Sequence, residues 1–221
     1  MTNIYRTSEQ SGRSMVEMLG VLAIIGVLSI GGVAGYSKAM AKYKINKTLD
    51  QVSLLITSVR TAYGNQNSYR GLNTEYAIMA EMVGNDMTLG SESTIQNAYQ
   101  GSVTISALDA AGKECTAVTD GTYCPMFGVI FNKVDKLACA TIASSDWGGS
   151  ASSGLYAIQI STEDQDFSAD LADADGTHTW ASADQAKKLP VDYAQALTEC
   201  TGGLSARATT GATASIKWVY Y

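Results

Sequence analysis

Twenty consecutive residues, Met18 to Ser37, carry no charge, and within that run apolar side chains fall on every side of a helical projection. A helix of that length spans about 30 Å, the thickness of a bilayer's hydrocarbon core. No proline interrupts the chain beyond it, and the pattern then changes. Ile45, Leu49, Val52, Ile56, Val59 and Tyr63 are spaced by alternating fours and threes, which places them on one helical face. Lys47, Asp50, Ser53, Ser58 and Arg60 take the opposite face. The spacing predicts a single helix of about fifty residues from near Ser14 to near Gly64, where Gly-Asn-Gln-Asn breaks it. Its first half calls for lipid or many neighbouring helices. Its second half calls for a packed partner such as a sheet.

After Gly64 the chain turns to short segments separated by Gly, Ser, Asn and Asp. Residues 65–102 read mainly as loop, with a short helix over Glu75–Met82. β-branched and aromatic residues mark strands at Val103–Leu108, Met126–Phe131, Leu155–Ser161 and Ser215–Tyr221. Two further short helices are expected at Lys133–Ala143 and at Val191–Cys200, the latter opened by Pro190. The fold class is α+β: a long N-terminal helix packed against an antiparallel sheet. Three regions follow: a polar leader at 1–12, the long helix at 13–63, and a globular head at 64–221, with Ser144–Gly154 its one low-complexity patch.

Charge sharpens the picture. The formal net charge is −6, yet Arg13 to Arg60 holds six basic residues against only Glu17 and Asp50. From Thr61 onward eight basic residues face eighteen acids, so the head repels phosphate backbones and nucleic acid is not an expected partner. Glu17 is the odd residue. An unpaired acid at the edge of a membrane-length run costs roughly 3 kcal/mol or more, so it needs a partner or must snorkel to the headgroups. Cleavage between Gly12 and Arg13 would free an α-amino group able to serve as that partner.

The four cysteines, Cys115, Cys124, Cys139 and Cys200, all follow the apolar run, which suggests two disulfides in an oxidising compartment. Three pairings are possible, with buried free thiols the alternative. Cys115–Cys124 with Cys139–Cys200 is favoured, because the first closes a short loop and the second staples a long segment.

Catalytic readings find little support. The single histidine, His178, has no nucleophile beside it in sequence, and neither a Gly-rich phosphate loop nor a Cys/His zinc pattern is present. No cofactor and no metal are expected. The acid-rich stretch Glu163, Asp164, Asp166, Asp170, Asp173, Asp175 and Gly176 fails as an EF-hand, since its first ligand would be Leu171 and its twelfth residue Ser182. A solvated acidic loop is the simpler reading. Trp180, Trp218, Tyr220 and Tyr221 fit sheet core better than a glycan platform.

Gly12-Arg13, Glu17 and the run Met-Leu-Gly-Val-Leu-Ala-Ile-Ile-Gly-Val-Leu together resemble a bacterial type IV prepilin. The resemblance covers residues 11–63, and the order of elements in the head is most similar to the type IVb branch. It implies cleavage after Gly12 by a prepilin peptidase, methylation of the new terminal amine, and a role for Glu17 in assembly. It also maps the family's disulfide-bounded region onto Cys139 to Cys200. The implied partners are further copies of the chain in a helical filament, the peptidase, an assembly platform in the inner membrane, and membrane lipid before assembly. The implied location is the inner membrane with the head outside the cytoplasm, then an extracellular pilus. Two residues depart from the pattern: Arg13 stands where the family usually has an apolar residue, and the proline common near Ala34 is missing, leaving Gly26, Gly31, Gly32 and Gly35. Gly31 and Gly35 form a small-xxx-small pair. Lys38, Lys42, Lys44 and Lys47 oppose this topology under the positive-inside rule, but cysteines and the cleavage motif outweigh them. Alternatives are a minor pilin, a type II secretion pseudopilin, or a soluble secreted binding protein cut after Ser37-Lys38-Ala39.

Overall fold

The computed structural model describes residues 15–88, 94–115, 123–148, 153–161, 177–181, 188–202 and 213–221. The chain divides into two compact units after Lys42. That boundary falls within the first helix, α1 (Met15–Tyr63), which is unbroken over 49 residues. By helical rise it is about 73 Å long.

In the unit that begins at Tyr43, the remaining turns of α1 lie against a six-stranded antiparallel sheet. The strands are β1 (Ile95–Gln96), β2 (Ser102–Leu108), β3 (Met126–Asp135), β4 (Leu155–Ser161), β5 (Thr177–Ala181) and β6 (Thr213–Tyr220). Their spatial order is β1-β2-β3-β6-β4-β5, so the last strand in sequence is inserted between β3 and β4. Three short helices complete the unit: α2 (Thr74–Met79), α3 (Lys136–Ala143) and α4 (Tyr193–Thr201). This is the α+β head on an amphipathic helix that the hydrophobic pattern predicts.

The amphipathic face of α1 is the reason for the packing. Val52, Leu55, Ile56, Val59 and Tyr63 are buried in one cluster with Val103, Ile105, Phe127, Val129, Phe131, Ile158, Ile160, Ile216 and Trp218. These strand residues alternate along β2, β3, β4 and β6, so one face of the sheet meets the helix. Ile45 and Leu49 pack at the margin of the same cluster. Leu55, absent from the four-and-three spacing, is fully buried because the buried stripe is wider than that spacing implies.

Several boundaries differ from the sequence reading. The strand expected at Met126–Phe131 runs on to Asp135, with its register shifted between Phe131 and Val134 and Lys133 at a positive φ of 57°. The helix expected from Lys133 therefore starts at Lys136. Asp135 caps it, accepting from Leu137 N at 3.0 Å and Ala138 N at 3.3 Å. Asp192 rather than Pro190 opens α4, accepting from Ala194 N, and Gly202 at φ 75° ends it. The first short helix stops at Met79, capped at its start by Asn73. β1 and β5 were not expected from composition. The other face of the sheet also differs from simple alternation, because Ser106, Gln159, Ser161, Ser215 and Lys217 on it are all buried.

Both disulfides lie within this unit. Cys115 is bonded to Cys124, and Cys139 on α3 is bonded to Cys200 on α4. Trp218 lies between Phe131 and Trp147 in edge-on contacts with centroids at 5.7 and 5.2 Å, a core role of the kind expected for the terminal aromatics. Tyr220 is buried as well, whereas Tyr221 is half exposed.

Candidate assembly surface

The first candidate is the segment of α1 that precedes the head. Valine, alanine, leucine, methionine and isoleucine fill it around five glycines, and a helix needs no partner to satisfy its own backbone. Every residue from Met15 to Ala39 is exposed, including Leu22, Ile25, Leu28, Ile30 and Val33. An 18-residue window within α1 has a mean hydropathy of 2.2 with none of it buried, so the helix is long and apolar enough to cross a bilayer. Soluble proteins rarely leave a contiguous apolar surface of this size uncovered. The segment is built to be covered by something outside the subunit.

Glu17 occupies the first turn of α1 and is exposed. There its negative charge lies at the positive end of the helix dipole. Projected at 100° per residue, Gly31 and Gly35 fall on the same side as Glu17. A methyl group added at either glycine would meet nothing within 4 Å, so the subunit itself does not require them. Both positions leave room for another helix to approach closely. Gly12 and Arg13 lie outside the described residues.

Within the head, two loops are tied to α1 by one polar network. Lys47 Nζ lies 3.1 Å from Asp86 Oδ2, and Gln51 Nε2 donates to the same oxygen at 2.9 Å. Gln51 Oε1 accepts from Ala98 N at 3.2 Å, which brings in the turn before β2. That turn is itself organised by buried Asn97, whose Oδ1 accepts from Tyr99 N and Gly101 N while its Nδ2 donates to Asn132 O. A side chain at Gly101 would collide with the Asn132 carbonyl, so glycine is required there. Burial pushes the Asp86 carboxyl up, but hydrogen bonds from Gln51 and Lys47 outweigh it and hold the group below its usual range. The same contact, first through its hydrogen bond, raises Lys47. Tyr43, Asn46, Leu54 and Asp50 extend this region into an open groove of about 600 Å³.

No sequence signal marks this network, since Gln51 and Asp86 are 35 positions apart. The cysteines, by contrast, stand out in sequence. Cys124, Cys139 and Cys200 are fully buried, and the second disulfide fastens α3 to α4 over a separation of 61 residues. Among the described residues, no group of three or more His, Cys, Asp or Glu side chains is placed to hold a metal. His178 belongs to β5, opposite Ile160 in the ladder. The acid-rich stretch from Glu163 to Gly176 lies outside the described residues.

Comparison with known proteins gives one family. A family model described as PilS N terminal matches residues 42–215. No curated relative matches the sequence. Among solved structures, the chain is similar to the type IVb pilin from Salmonella typhi, with 22% identity and a TM-score of 0.46, covering 79% of this chain and 97% of that one. It is also similar to TcpA, a type IV pilin from Vibrio cholerae El Tor biotype, with 12% identity and a TM-score of 0.47, covering 81% and 99%.

Proposed function

We propose that this chain, which belongs to the PilS N-terminal family, is a structural subunit of a type IV pilus of the IVb kind. The observation that carries the proposal is an apolar helical segment, exposed throughout and headed by one carboxylate, continuous with a head of that family. Such a segment has two natural environments, lipid and a bundle of its own kind. A subunit that moves from the first to the second exchanges lipid contacts for helix contacts, with Gly31 and Gly35 allowing close approach.

In this reading residues 1–12 are a leader removed by a prepilin peptidase after Gly12, and 64–221 form the exposed surface of the filament. The new amine at Arg13, methylated or not, meets Glu17 of the adjacent copy. A carboxylate without that partner in the apolar core is costly, so the pair fixes how far one subunit is displaced along the next. The precursor is held in the inner membrane with its head outside the cytoplasm, where the two disulfides are stable. An assembly platform then draws it into an extracellular filament. The role is structural rather than catalytic, and the filament serves adhesion, aggregation, motility or DNA transfer. Continuity of α1 through Met40 favours this over a secreted protein cut near Ala39.

Electron microscopy of sheared surface fibres tests the proposal. A strain with a complete assembly apparatus and this chain as its sole major pilin should yield filaments containing it. Glu17→Ala should leave processed, membrane-held protein and lower filament yield by about tenfold or more, because an unpaired amine remains. Normal filament yield from that variant would remove Glu17 from assembly. Absence of fibres with the native chain and a complete assembly apparatus would remove the function itself.

A further inference from the structure

Four lysines follow the apolar run, and they fall into two pairs. Lys44 lies over the Tyr99 ring, with Nζ 5.5 Å from its centroid, and Lys47 is paired with Asp86. Both are committed to the head. Lys38 and Lys42 are exposed, and among the described residues neither makes an ion pair or a ring contact. They are one turn apart on α1, so their ammonium groups project from the same side of the helix. No acid occurs between Glu17 and Asp50 to answer them. Tyr36 is 67% exposed just before them, at the end of a segment as long as a bilayer is thick. A tyrosine followed by free lysines at that depth is the arrangement that meets a headgroup layer, the ring at the boundary and the cations among the phosphates.

We infer that Tyr36, Lys38 and Lys42 form a collar that binds the anionic phospholipid headgroups of the leaflet on the head side of the membrane. The inference rests on the membrane-held precursor of the proposed function. It also accounts for the one feature that opposes that topology. Lysines placed after a translocated helix work against the orientation rule, and two of them make no ion pair or ring contact among the described residues. Binding phosphate gives them one. The collar fixes the depth at which the precursor waits, and leaving the membrane requires giving up these contacts.

The test uses the full chain in bilayers of equal phosphatidylglycerol and phosphatidylcholine, with lipids retained on the protein counted by native mass spectrometry. Each lysine near an anionic surface contributes about fivefold, so the two together should favour phosphatidylglycerol by roughly twenty-five-fold at low salt. Molar salt should reduce that preference sharply. Lys38→Gln with Lys42→Gln should bring it close to parity, while Lys44→Gln, whose ammonium is held by Tyr99, should leave most of it. Equal retention of both lipids by the native chain, or an unchanged preference in the double variant, overturns the collar. Alkaline carbonate extraction of the same vesicles separates the two ideas: protein released from the bilayer refutes the membrane-held precursor, whereas retained protein without lipid preference refutes only the collar.

Discussion

Leu28 and Leu55 belong to the same helix, and their surroundings could hardly differ more: Leu28 is 68% exposed and Leu55 is 0% exposed. From Met15 to Ala39 every residue of the helix is exposed. From Tyr43 onward it is a layer of a packed domain. Burial of a leucine contributes about 2 kcal/mol or more, so the head holds itself together with its own residues. The earlier segment gains nothing comparable inside the subunit. Its apolar surface is a demand placed on the environment, which the proposed function meets first with lipid and then with other copies. On that proposal one secondary-structure element serves folding at one end and association at the other.

The sharpest way to break this contrast is to weaken each end separately. Replacing Cys139 and Cys200 with alanine should lower head stability by about 4 kcal/mol, since the bond closes a long loop between α3 and α4. Thermal unfolding of the detergent-solubilised chain measures it, and membrane retention should be unaffected. Leu55→Ala should cost about 3 kcal/mol by the same assay, through lost burial and a residual cavity. Leu28→Ala should leave the head's unfolding temperature unchanged and reduce filament yield instead. An equal loss of head stability from both leucine variants would erase the distinction.

The smallest effect concerns the Lys47–Asp86–Gln51 network. Asp86 has a folded pKa below its ordinary value of 3.8, so its contribution is present above that pH and is lost as pH falls through the depressed value. Unfolding midpoints of the native chain should therefore fall more steeply below about pH 4 than those of Asp86→Asn. Above pH 5 the variant should be only slightly less stable, because both side chains are partly solvated. Identical acid limbs for the two proteins would remove the network from the account.

What was legible in the sequence follows from how each feature is encoded. The long helix, the strands at β2 and β4 and the two-halved character of α1 are written in local periodicity, and all three are found. β5, Thr177–Ala181, was missed because a strand between an acidic stretch and a polar one has no alternation of its own; the β4 ladder defines it. Two residues, Ile95 and Gln96, are too few for any pattern, and β1 is defined by its pairing with β2 and its bridge to Thr88. α3 begins late because Asn132 and Lys133 continue a strand through a register shift, a long-range outcome that helix propensity does not contain. The buried row Gln159, Ser161, Ser215 and Lys217 was invisible for a similar reason, since polar residues on a strand ordinarily signal a solvated face. Glu17 was conspicuous because a charge beside twenty neutral residues is a local anomaly. The partners of Asp86 were not, because nothing near Asp86 in sequence announces them.

The central claim is that a trimmed N-terminus answers Glu17 in a polymer of this chain. N-terminal sequencing of the subunit recovered from sheared surface filaments tests it most directly. The account predicts a first residue of Arg13. A subunit that begins at Met1, or one that begins near Met40 and so lacks Glu17 altogether, would contradict it.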